Sequence, residues 1–315
     1  MGLPTINDTI LANPVLTDLS IGYQNEDMIW GTLAPAKGEP TKTGIYPIYT
    51  RDYWFRRQEA ATRGADGGYR RAGYGISSDT YNVIEIGFEK PLDDPVKAAN
   101  QSGDDLAEVD TAFLTALMEL ELEKRVAAAA FITGVWGTST TLSSTDQWSD
   151  FDGSDPITNM QTAIRTIRRN IGAATRLTGI CGPLAFEKLA EHPLIIDKYK
   201  HTQTGIMTAA LVAAVLGLEE IKVGNSIENT AIEKAPGTDS FTGADIWTDN
   251  FLVLAESTRG KGAYTFIWEE DFSAPWTVES YRDDKVRSDI TRIRTHLDVK
   301  IASAQHGYMY LDCVA

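Results

Sequence analysis

Between Gly44 and Asp94 the sequence predicts one long two-stranded excursion, here called the extended loop. Its outgoing arm, GIYPIYTRDYWF, and its returning arm, GISSDTYNVIEIGF, are rich in residues that favour strands and partly alternate apolar with polar positions. The segment between the arms, RRQEAATRGADGGYRRAGY, is basic and glycine-rich and has no apolar stripe that could build a core. A protruding arm of this kind indicates that another molecule lies beneath it, and therefore favours assembly over catalysis.

The composition is that of a globular protein with an acidic surface. The chain has 315 residues, of which 43% are hydrophobic, so it is long enough for one large domain or two intertwined ones. Its net charge of -15 argues against a protein that coats nucleic acid, because affinity for a phosphate backbone needs clustered Lys and Arg. An acidic surface also keeps a concentrated protein in solution. Any contact with DNA is expected to be local and weak.

The cysteines and the apolar runs predict a protein of a reducing compartment. Cys181 and Cys313 have neither the CxxC pattern nor zinc-site spacing, so we expect no disulfide framework, no metal site and no cofactor. The longest apolar run, Ala209 to Leu218, is shorter than the roughly 20 residues of a membrane span. We therefore expect a soluble protein that is synthesised in the cytoplasm.

A long capped helix follows the extended loop. Asp104 and Asp105 supply caps and favourable charge at its start, and the pattern predicts a helix over about 104–132, roughly 40 Å long. The apolar residues that recur at helical spacing are Leu106, Val109, Phe113, Leu117, Leu120, Ala127 and Phe131. A helix of this length is expected to run across the whole molecule.

A second helix is predicted from a cap at Asp155 and a proline at Pro156. One of its faces is apolar, with Ile164 and Ile167 near its middle, and the other is basic. The region after it alternates helices and strands and predicts an α/β subdomain, while the strands from Trp276 onward are expected to form an antiparallel meander.

The search for catalytic or metal-binding motifs gives no candidate residue. The chain has no Walker A, HExxH or GxSxG sequence, and its four histidines are dispersed. The segment from Asp150 to Asp155 resembles a calcium loop, but its later positions lack the required Gly and Glu, so a loop with a helix cap is favoured. A cytosolic α/β enzyme whose active site is assembled from dispersed residues remains an alternative.

Opposite charges on the extended loop and on the long helix predict contacts between copies of the chain. From Arg51 to Gly75, the loop tip, six arginines face three acids, a charge of about +3; from Gly103 to Ile132 seven acids face two bases, about -5. Pairing between these elements would guide the register of an assembly, although both charges would also suit ordinary solvated surfaces. The predicted contact residues of the loop tip are Arg51, Arg56, Arg57, Arg63, Arg70 and Arg71. Those of the helix are Asp104, Asp105, Glu108, Glu119 and Glu123.

The order of these segments resembles the major capsid proteins of tailed bacteriophages, which have the Hong Kong 97 type of shell fold. The resemblance covers nearly the whole chain. It lies in the extended loop, in the helix DLAEVDTAFLTALMELELEKRVAAAAF, in WSDFDGSDPITNMQTAI, GPLAFEKLAEHPLIIDKYKHT, AALVAAVLGLEEIKVGNSIENTA and YTFIWEED, and in the ending VRSDITRIRTHLDVKIASAQHGYMYLDC. It implies an α+β fold with an N-arm, an extended loop, a peripheral domain that contains the long spine helix, and an α/β axial domain. The implied ranges are 1–43 for the N-arm, 44–94 for the extended loop, 95–147 with 276–315 for the peripheral domain, and 148–275 for the axial domain.

By this resemblance the chain would be a structural protein, not an enzyme, that assembles as hexamers and pentamers into an icosahedral virion shell around double-stranded DNA. Its partners would be other copies of itself, a portal, a decoration protein and, because the N-arm is short, a separate scaffolding protein, with no membrane. The loop tip has only arginines, so a covalent isopeptide link from a loop lysine is not expected. An encapsulin-like nanocompartment shell, with the same fold and an enzyme as cargo, is the main alternative. The residues predicted to face packaged DNA or an adjacent subunit are Arg165, Arg168, Arg169 and Arg176.

Overall fold

The computed structural model describes residues 25, 28–60, 62–63, 67–100, 105–200, 208–232, 240–258, 260–268 and 276–315. Most of the predicted N-arm and the predicted contact residue Asp104 lie outside these ranges. The helices are α1 Trp30–Leu33, α2 Arg51–Phe55, α3 Asp94–Ala99, α4 Leu106–Ala130, α5 Pro156–Ile171, α6 Pro183–Glu191, α7 Pro193–Tyr199 and α8 Ala209–Leu216. The strands are β1 Ala36–Glu39, β2 Thr43–Tyr49, β3 Ile76–Asn82, β4 Ile84–Asp93, β5 Thr138–Thr141, β6 Arg176–Cys181, β7 Glu220–Val223, β8 Ile227–Asn229, β9 Gly243–Asp245, β10 Phe251–Glu256, β11 Tyr264–Trp268, β12 Thr277–Asp283, β13 Ser288–Lys300 and β14 Gly307–Leu311.

The long helix α4 forms as predicted, but it buries a different face. Its N-cap Asp105 accepts a hydrogen bond from the Ala107 amide, as the cap pattern requires. Five buried apolar residues of α4 recur every four positions, namely Leu114, Met118, Leu122, Val126 and Ala130. Val109 and Phe113, which the sequence assigned to the apolar stripe, are both about half exposed. Apolar residues lie on both sides of α4, so periodicity alone could not identify the buried side.

The first sheet supports the N-terminal part of α4. Strand β1 pairs in parallel with β11, which continues through β13 to β12, while β4 pairs with β13 over Ile84–Asp93. Leu114 and Met118 of α4 pack on Ile293 of β13, and Leu122 packs on Leu297. The other side of β13 carries cross-strand ion pairs, of Arg292 with Glu89 on β4 and of Arg294 with Glu279 on β12.

The second sheet has the order β5-β14-β10-β6-β7 and is covered on both faces. Phe251 and Val253 of β10 join the core formed with α5, α6 and α8. Leu252 and Leu254, which alternate with them, join a separate core that contains the C-terminal end of α4. A strand buried on both faces appears in the sequence as a continuous apolar run, as FLVLAE does.

The predicted two-stranded excursion is confirmed. β2 and β3 pair in antiparallel register from Thr43 opposite Asn82 to Tyr49 opposite Ile76. After Tyr49 the outgoing arm turns into the short helix α2, where the sequence predicted that the strand continues. The returning arm divides at Val83, so that β3 belongs to the hairpin while β4 belongs to the first sheet. The hairpin therefore extends directly from the sheet that supports α4.

The strand pairings differ from the predicted C-terminal meander. β12 and β13 do form an antiparallel pair, but β14 leaves them and lies between β10 and β5 in the second sheet. The meander prediction was wrong for β14 because the turn at 304–306 carries the chain away from the first sheet.

A charged cluster ties α3 to the edge of the first sheet. The guanidinium of Arg282 donates two hydrogen bonds to Asp94, of 2.6 and 2.7 Å, and a third to Asp289, which also pairs with Lys97. The hydrogen bonds from Arg282 hold the pKa of Asp94 below its usual value. The pKa of Asp289 is lowered first by Lys97 and then by Arg282. The contribution of these aspartates to stability is therefore present above the unfolded-state pKa of about 3.9 and is lost as the pH falls through the lower folded-state pKa.

We predict that the Asp94→Asn variant is less stable than the wild type at pH 7, and that this difference begins to shrink as the pH falls below about 3.9 and disappears only below the lowered folded-state pKa of Asp94. The reason is that protonation removes from the wild-type protein the ion pair that the variant lacks at every pH. Urea unfolding at a series of pH values measures the difference. Asp152→Asn, which makes the same change at an exposed loop aspartate, is the matched control and should show no such pH dependence. A difference that stays constant down to pH 3 would contradict the assigned ion pair.

Candidate assembly surfaces

The six arginines of the loop tip are exposed, but several already have partners within the subunit. Arg51 donates to the side chains of Asn170 and Gln305, at 2.8 and 2.9 Å, and so joins the start of the loop tip to the body. Arg56 pairs with Asp52 at 2.7 Å, one helical turn away. Arg63 and Arg70 donate to the backbone carbonyls of Gly67 and Glu59, while Arg57 and Arg71 extend into solvent. The basic charge of the tip is therefore retained on its surface.

The sequence reasoning missed an aromatic cluster on the same surface. The rings of Tyr49, Trp54 and Tyr74 lie in mutual contact, with centroids 6.1 to 6.2 Å apart. Each ring is at least about half exposed, as is Phe55 beside them. Trp, Tyr and Arg together are the residues most enriched at the energetic centres of protein interfaces. The density of aromatics in YTRDYWF was the available signal.

The base of the extended loop rests on its own subunit, contrary to the expectation that nothing of the body lies beneath it. A groove of about 800 Å³ separates α2 and β2 from the end of α5 and from residues near Gln305. Phe55 closes one side against Gly172, where φ is +78° and an added β-carbon would lie 2.9 Å from the ring. Gly172 therefore permits both the turn after α5 and the close approach of Phe55.

The predicted contact acids of α4 have different environments. Glu108 and the cap Asp105 are exposed, and Glu119 is partly buried, so these three can contact another copy. Glu123 cannot, because it is completely buried. Its prediction as an inter-subunit contact was wrong, since the carboxylate is used inside the subunit.

Glu123 anchors three remote segments of the chain. Its Oε1 accepts hydrogen bonds from the Ile29 amide (3.0 Å), the Trp247 indole (2.6 Å) and the Ser226 hydroxyl (3.3 Å), and its Oε2 accepts one from the Trp30 amide (2.8 Å). These donors satisfy the buried carboxylate, and the carboxylate in turn caps the amide end of α1. The partners are between 93 and 124 residues away in sequence, so no local pattern could have identified them.

The exposed face of α4 combines acids with apolar side chains. Val109 and Phe113 are each 51% exposed and lie one helical turn apart, and the exposed Asp105 lies one turn before Val109. On the sheet side, the buried Asp110 pairs with Lys90, whose ammonium group also lies 5.5 Å from the Phe113 ring.

The four predicted DNA-facing or inter-subunit arginines do not form one group. Arg165, Arg168 and Arg169 are exposed along one side of α5 and line a groove beside α8. Arg176 instead begins β6 and pairs with Glu219 and Glu220, at 3.6 and 2.8 Å. Its charge is therefore balanced within the subunit, and its contact with DNA or an adjacent subunit stays a prediction.

The loop before α5 has the predicted role of a helix cap. Asp155 accepts hydrogen bonds from both the amide and the hydroxyl of Thr158, and Asp150 accepts from the amides of Asp152 and Gly153.

Across the ranges that the structure describes, no His, Cys, Asp and Glu side chains gather in a group that could hold a metal ion. No helix in those ranges has the length and apolar character needed to cross a membrane.

We predict that Glu123→Ala lowers the free energy of unfolding by at least about 3 kcal/mol, because it leaves buried donors without an acceptor. Limited proteolysis should then cut near Trp30, which loses its anchor. Glu123→Gln keeps the shape and one acceptor oxygen and should have an intermediate effect. The control Glu121→Ala removes only an i,i+4 pair with Arg125 and should cost about 0.5 kcal/mol or less. Equal effects at positions 121 and 123 in urea unfolding would contradict the anchor role.

The sequence is similar to phage major capsid proteins, although no protein-family model matches the chain. The chain is 29% identical over 248 residues to the major capsid protein of Burkholderia phage BcepMu, covering 78% of this chain and 76% of the relative. It is 27% identical over 226 residues to the major capsid protein of Pseudomonas phage JBD67, covering 70% of each.

Several solved structures, among them a phage-related protein and a phage capsid, have a similar fold. A phage-related protein from Bordetella bronchiseptica RB50 matches with a TM-score of 0.69 at 21% identity, over 96% of this chain and 97% of that one. The capsid of cyanophage P-SCSP1u matches with a TM-score of 0.64 at 12% identity, over 93% and 90%. A virus-like particle from Pyrococcus furiosus matches less well, with a TM-score of 0.51 at 10% identity, over 90% and 92%.

The expected α+β fold is confirmed, and it is the Hong Kong 97 type of capsid fold. Similarity to two phage major capsid proteins over more than two thirds of the chain, together with this fold, supports a structural role in the shell of a tailed phage.

Proposed function

We propose that the chain assembles as hexamers and pentamers into a closed icosahedral shell that encloses double-stranded DNA, with the extended loop of each copy lying on α4 of a neighbour. One observation carries this proposal: an exposed arginine and aromatic surface on the loop tip and an exposed acidic and apolar face on α4, both left open by the single subunit. The two surfaces complement one another in charge and in hydrophobicity.

The aromatic side chains would supply most of the contact energy, and the arginines would determine how the two surfaces align. Trp54, Tyr49 and Tyr74 offer large, rigid apolar surfaces, and such residues dominate measured interface energies. Exposed ion pairs contribute little each, but they accelerate and orient association. Each interface can be modest, because closed symmetry repeats it many times in a shell.

We also propose that each of the two domains is built around one of the two large sheets. The peripheral domain would consist of α4 with the first sheet, and the axial domain of the second sheet with α5 to α8. The separate cores of the two sheets support this division. It moves β5 and β14 out of the predicted peripheral ranges 95–147 and 276–315, and β11 out of the predicted axial range 148–275.

The remaining partners stay predictions from the resemblance. A portal, a decoration protein and a separate scaffolding protein belong to this group, as does synthesis in the host cytoplasm. Because the loop tip contains no lysine, we expect that neighbouring copies are held without an isopeptide bond.

We predict that the purified full-length chain, or a lysate that contains it, shows uniform closed shells in electron micrographs. Nuclease-resistant DNA inside particles from infected cells would identify the cargo, whereas a protein cargo would indicate a nanocompartment. A chain that stays monomeric at high concentration under all assembly conditions would contradict the proposed function.

We predict that two loop variants impair assembly in different ways. Replacing Arg56, Arg57, Arg70 and Arg71 with Glu should slow assembly strongly at low salt, because it reverses the steering charge. The variant Tyr49→Ala with Trp54→Ala should weaken assembly at all salt concentrations, because it removes contact surface. Light scattering over a range of salt concentrations measures both effects.

The control for the charge reversal changes Lys188, Lys198, Lys200 and Lys285, on other surfaces, to Glu. Circular dichroism checks that every variant is folded. Shells that form from the arginine variant at the wild-type rate in low salt would rule out charge pairing between the loop and α4.

A further inference from the structure

A groove between α5 and α8 carries three arginines that nothing in the described subunit neutralises. It has a volume of about 580 Å³ and is lined by Gln161, Ile164, Arg165, Arg168, Arg169, Val215, Leu216 and Gly217. No carboxylate lies among these residues. By contrast, most arginines outside the loop tip and this groove pair with acids, as Arg125, Arg282 and Arg292 do.

The chain has a net charge of -15, so three adjacent guanidinium groups without an acid are a marked local exception. An anion bound between them would relieve the repulsion among them more than solvent and salt do. Gln161, one turn before Arg165, adds an amide that can donate to the same anion.

The shape of the groove suits a linear anion. Arg165 and Arg169 are four residues apart on α5, about 6 Å along the helix axis. Phosphates of one DNA strand follow one another about every 3.4 Å along the duplex axis, so the three arginines can reach about two of them. The guanidinium fork also binds phosphate oxygens in pairs.

The wall opposite the arginines is the C-terminal turn of α8, whose partial negative charge is small beside three guanidinium charges. α8 ends at Gly217 in the left-handed conformation, and the amides of Gly217 and Leu218 are bonded to carbonyls of the last turn. The carbonyls of Ala213 and Ala214 are therefore already hydrogen-bonded, and the wall presents the side chain of Val215.

The rim of the groove lacks the features of a contact between proteins. Its exposed residues are polar or basic, and the apolar residues Ile164 and Leu216 are buried in the floor. Protein interfaces place aromatic or aliphatic anchors at their centre, whereas surfaces that bind nucleic acid are polar and strongly basic. The loop tip of this same chain has such anchors and the α5 groove does not.

We propose that the groove between α5 and α8 is a phosphodiester-binding site, in which Arg165, Arg168 and Arg169 hold the backbone of packaged nucleic acid without regard to sequence. This inference rests on the proposed function, because it names the residues of the shell protein that touch its cargo. Contact through so few phosphates is weak for each copy and accumulates over the copies of a shell.

The test measures binding of a fluorescent 20-base-pair duplex, and of a single strand of equal length, to the unassembled full-length chain. The variant changes Arg165, Arg168 and Arg169 to Gln. With about two phosphate contacts of slope about 0.9 each, the ratio of wild-type to variant affinity for the duplex should fall about 12-fold between 50 and 200 mM salt. The triple Arg→Lys variant keeps the charge but loses the fork, and should bind with intermediate affinity.

The matched control changes Lys198, Lys200 and Lys285 to Gln, which removes the same charge from other exposed surfaces, and should bind DNA as the wild type does. Polyglutamate at equal charge should displace the duplex poorly. Duplex affinity that is unchanged in the arginine variant, or that falls equally in the control, would overturn the proposal, as would preferential binding of polyglutamate.

Electron microscopy of the same variants separates this inference from the shell function. We expect the Arg→Gln variant to form normal shells, because the loop tip and α4 are intact. If it keeps its DNA affinity but forms no shells, the groove is a contact between copies and the proposal is wrong. Absence of shells from the wild-type protein would contradict the proposed function instead.

Discussion

Helix α4 belongs to two cores at once, and Glu123 lies where it passes from one to the other. The residues before it, Leu114 to Leu122, pack on the first sheet, and those after it, from Val126, pack beneath the second. The carboxylate joins the amides ahead of β1 to Trp247 and Ser226 near the second sheet. A buried charge in this position requires all its donors, because each one lost leaves an uncompensated group. The relative placement of the two sheets therefore depends on one hydrogen-bonded side chain as well as on packing.

This arrangement explains why α4 can present apolar residues to solvent. The buried side satisfies both cores, so Val109 and Phe113 on the other side can remain half exposed. The hairpin that extends from the same sheet likewise leaves Trp54 and Tyr74 about half exposed. Large exposed apolar patches invite aggregation and commonly mark interaction sites. These are the surfaces that the proposed assembly would cover.

Local signals predicted much of this fold, and non-local contacts account for what they missed. The cap at Asp155 and the hairpin from Thr43 to Asn82 follow from short-range chemistry, which one sequence contains. The buried side of α4 does not, because Phe113 and Leu114 are equally apolar and only the sheet beneath distinguishes them. The role of Glu123 depends on donors about a hundred residues away, and the sheet to which β14 belongs depends on pairing with the strands β10 and β5, which are also distant in sequence. Charge counting found the helix acids but could not separate a buried carboxylate from exposed ones.

The distribution of the arginines is what the proposed enclosure of DNA by an acidic shell protein would require. Copies with a charge of -15 repel one another and repel DNA, and salt screens this repulsion only beyond about 10 Å. Close contacts therefore need local positive charge where surfaces meet, and not a uniformly basic protein. Arg282 and Arg292 form ion pairs within the subunit, whereas the arginines of the loop tip and of α5 lie on two separate exposed surfaces. The loop surface has aromatic anchors and the α5 surface has none, which is the difference expected between a surface that binds another folded copy and one that binds a flexible, hydrated phosphate backbone.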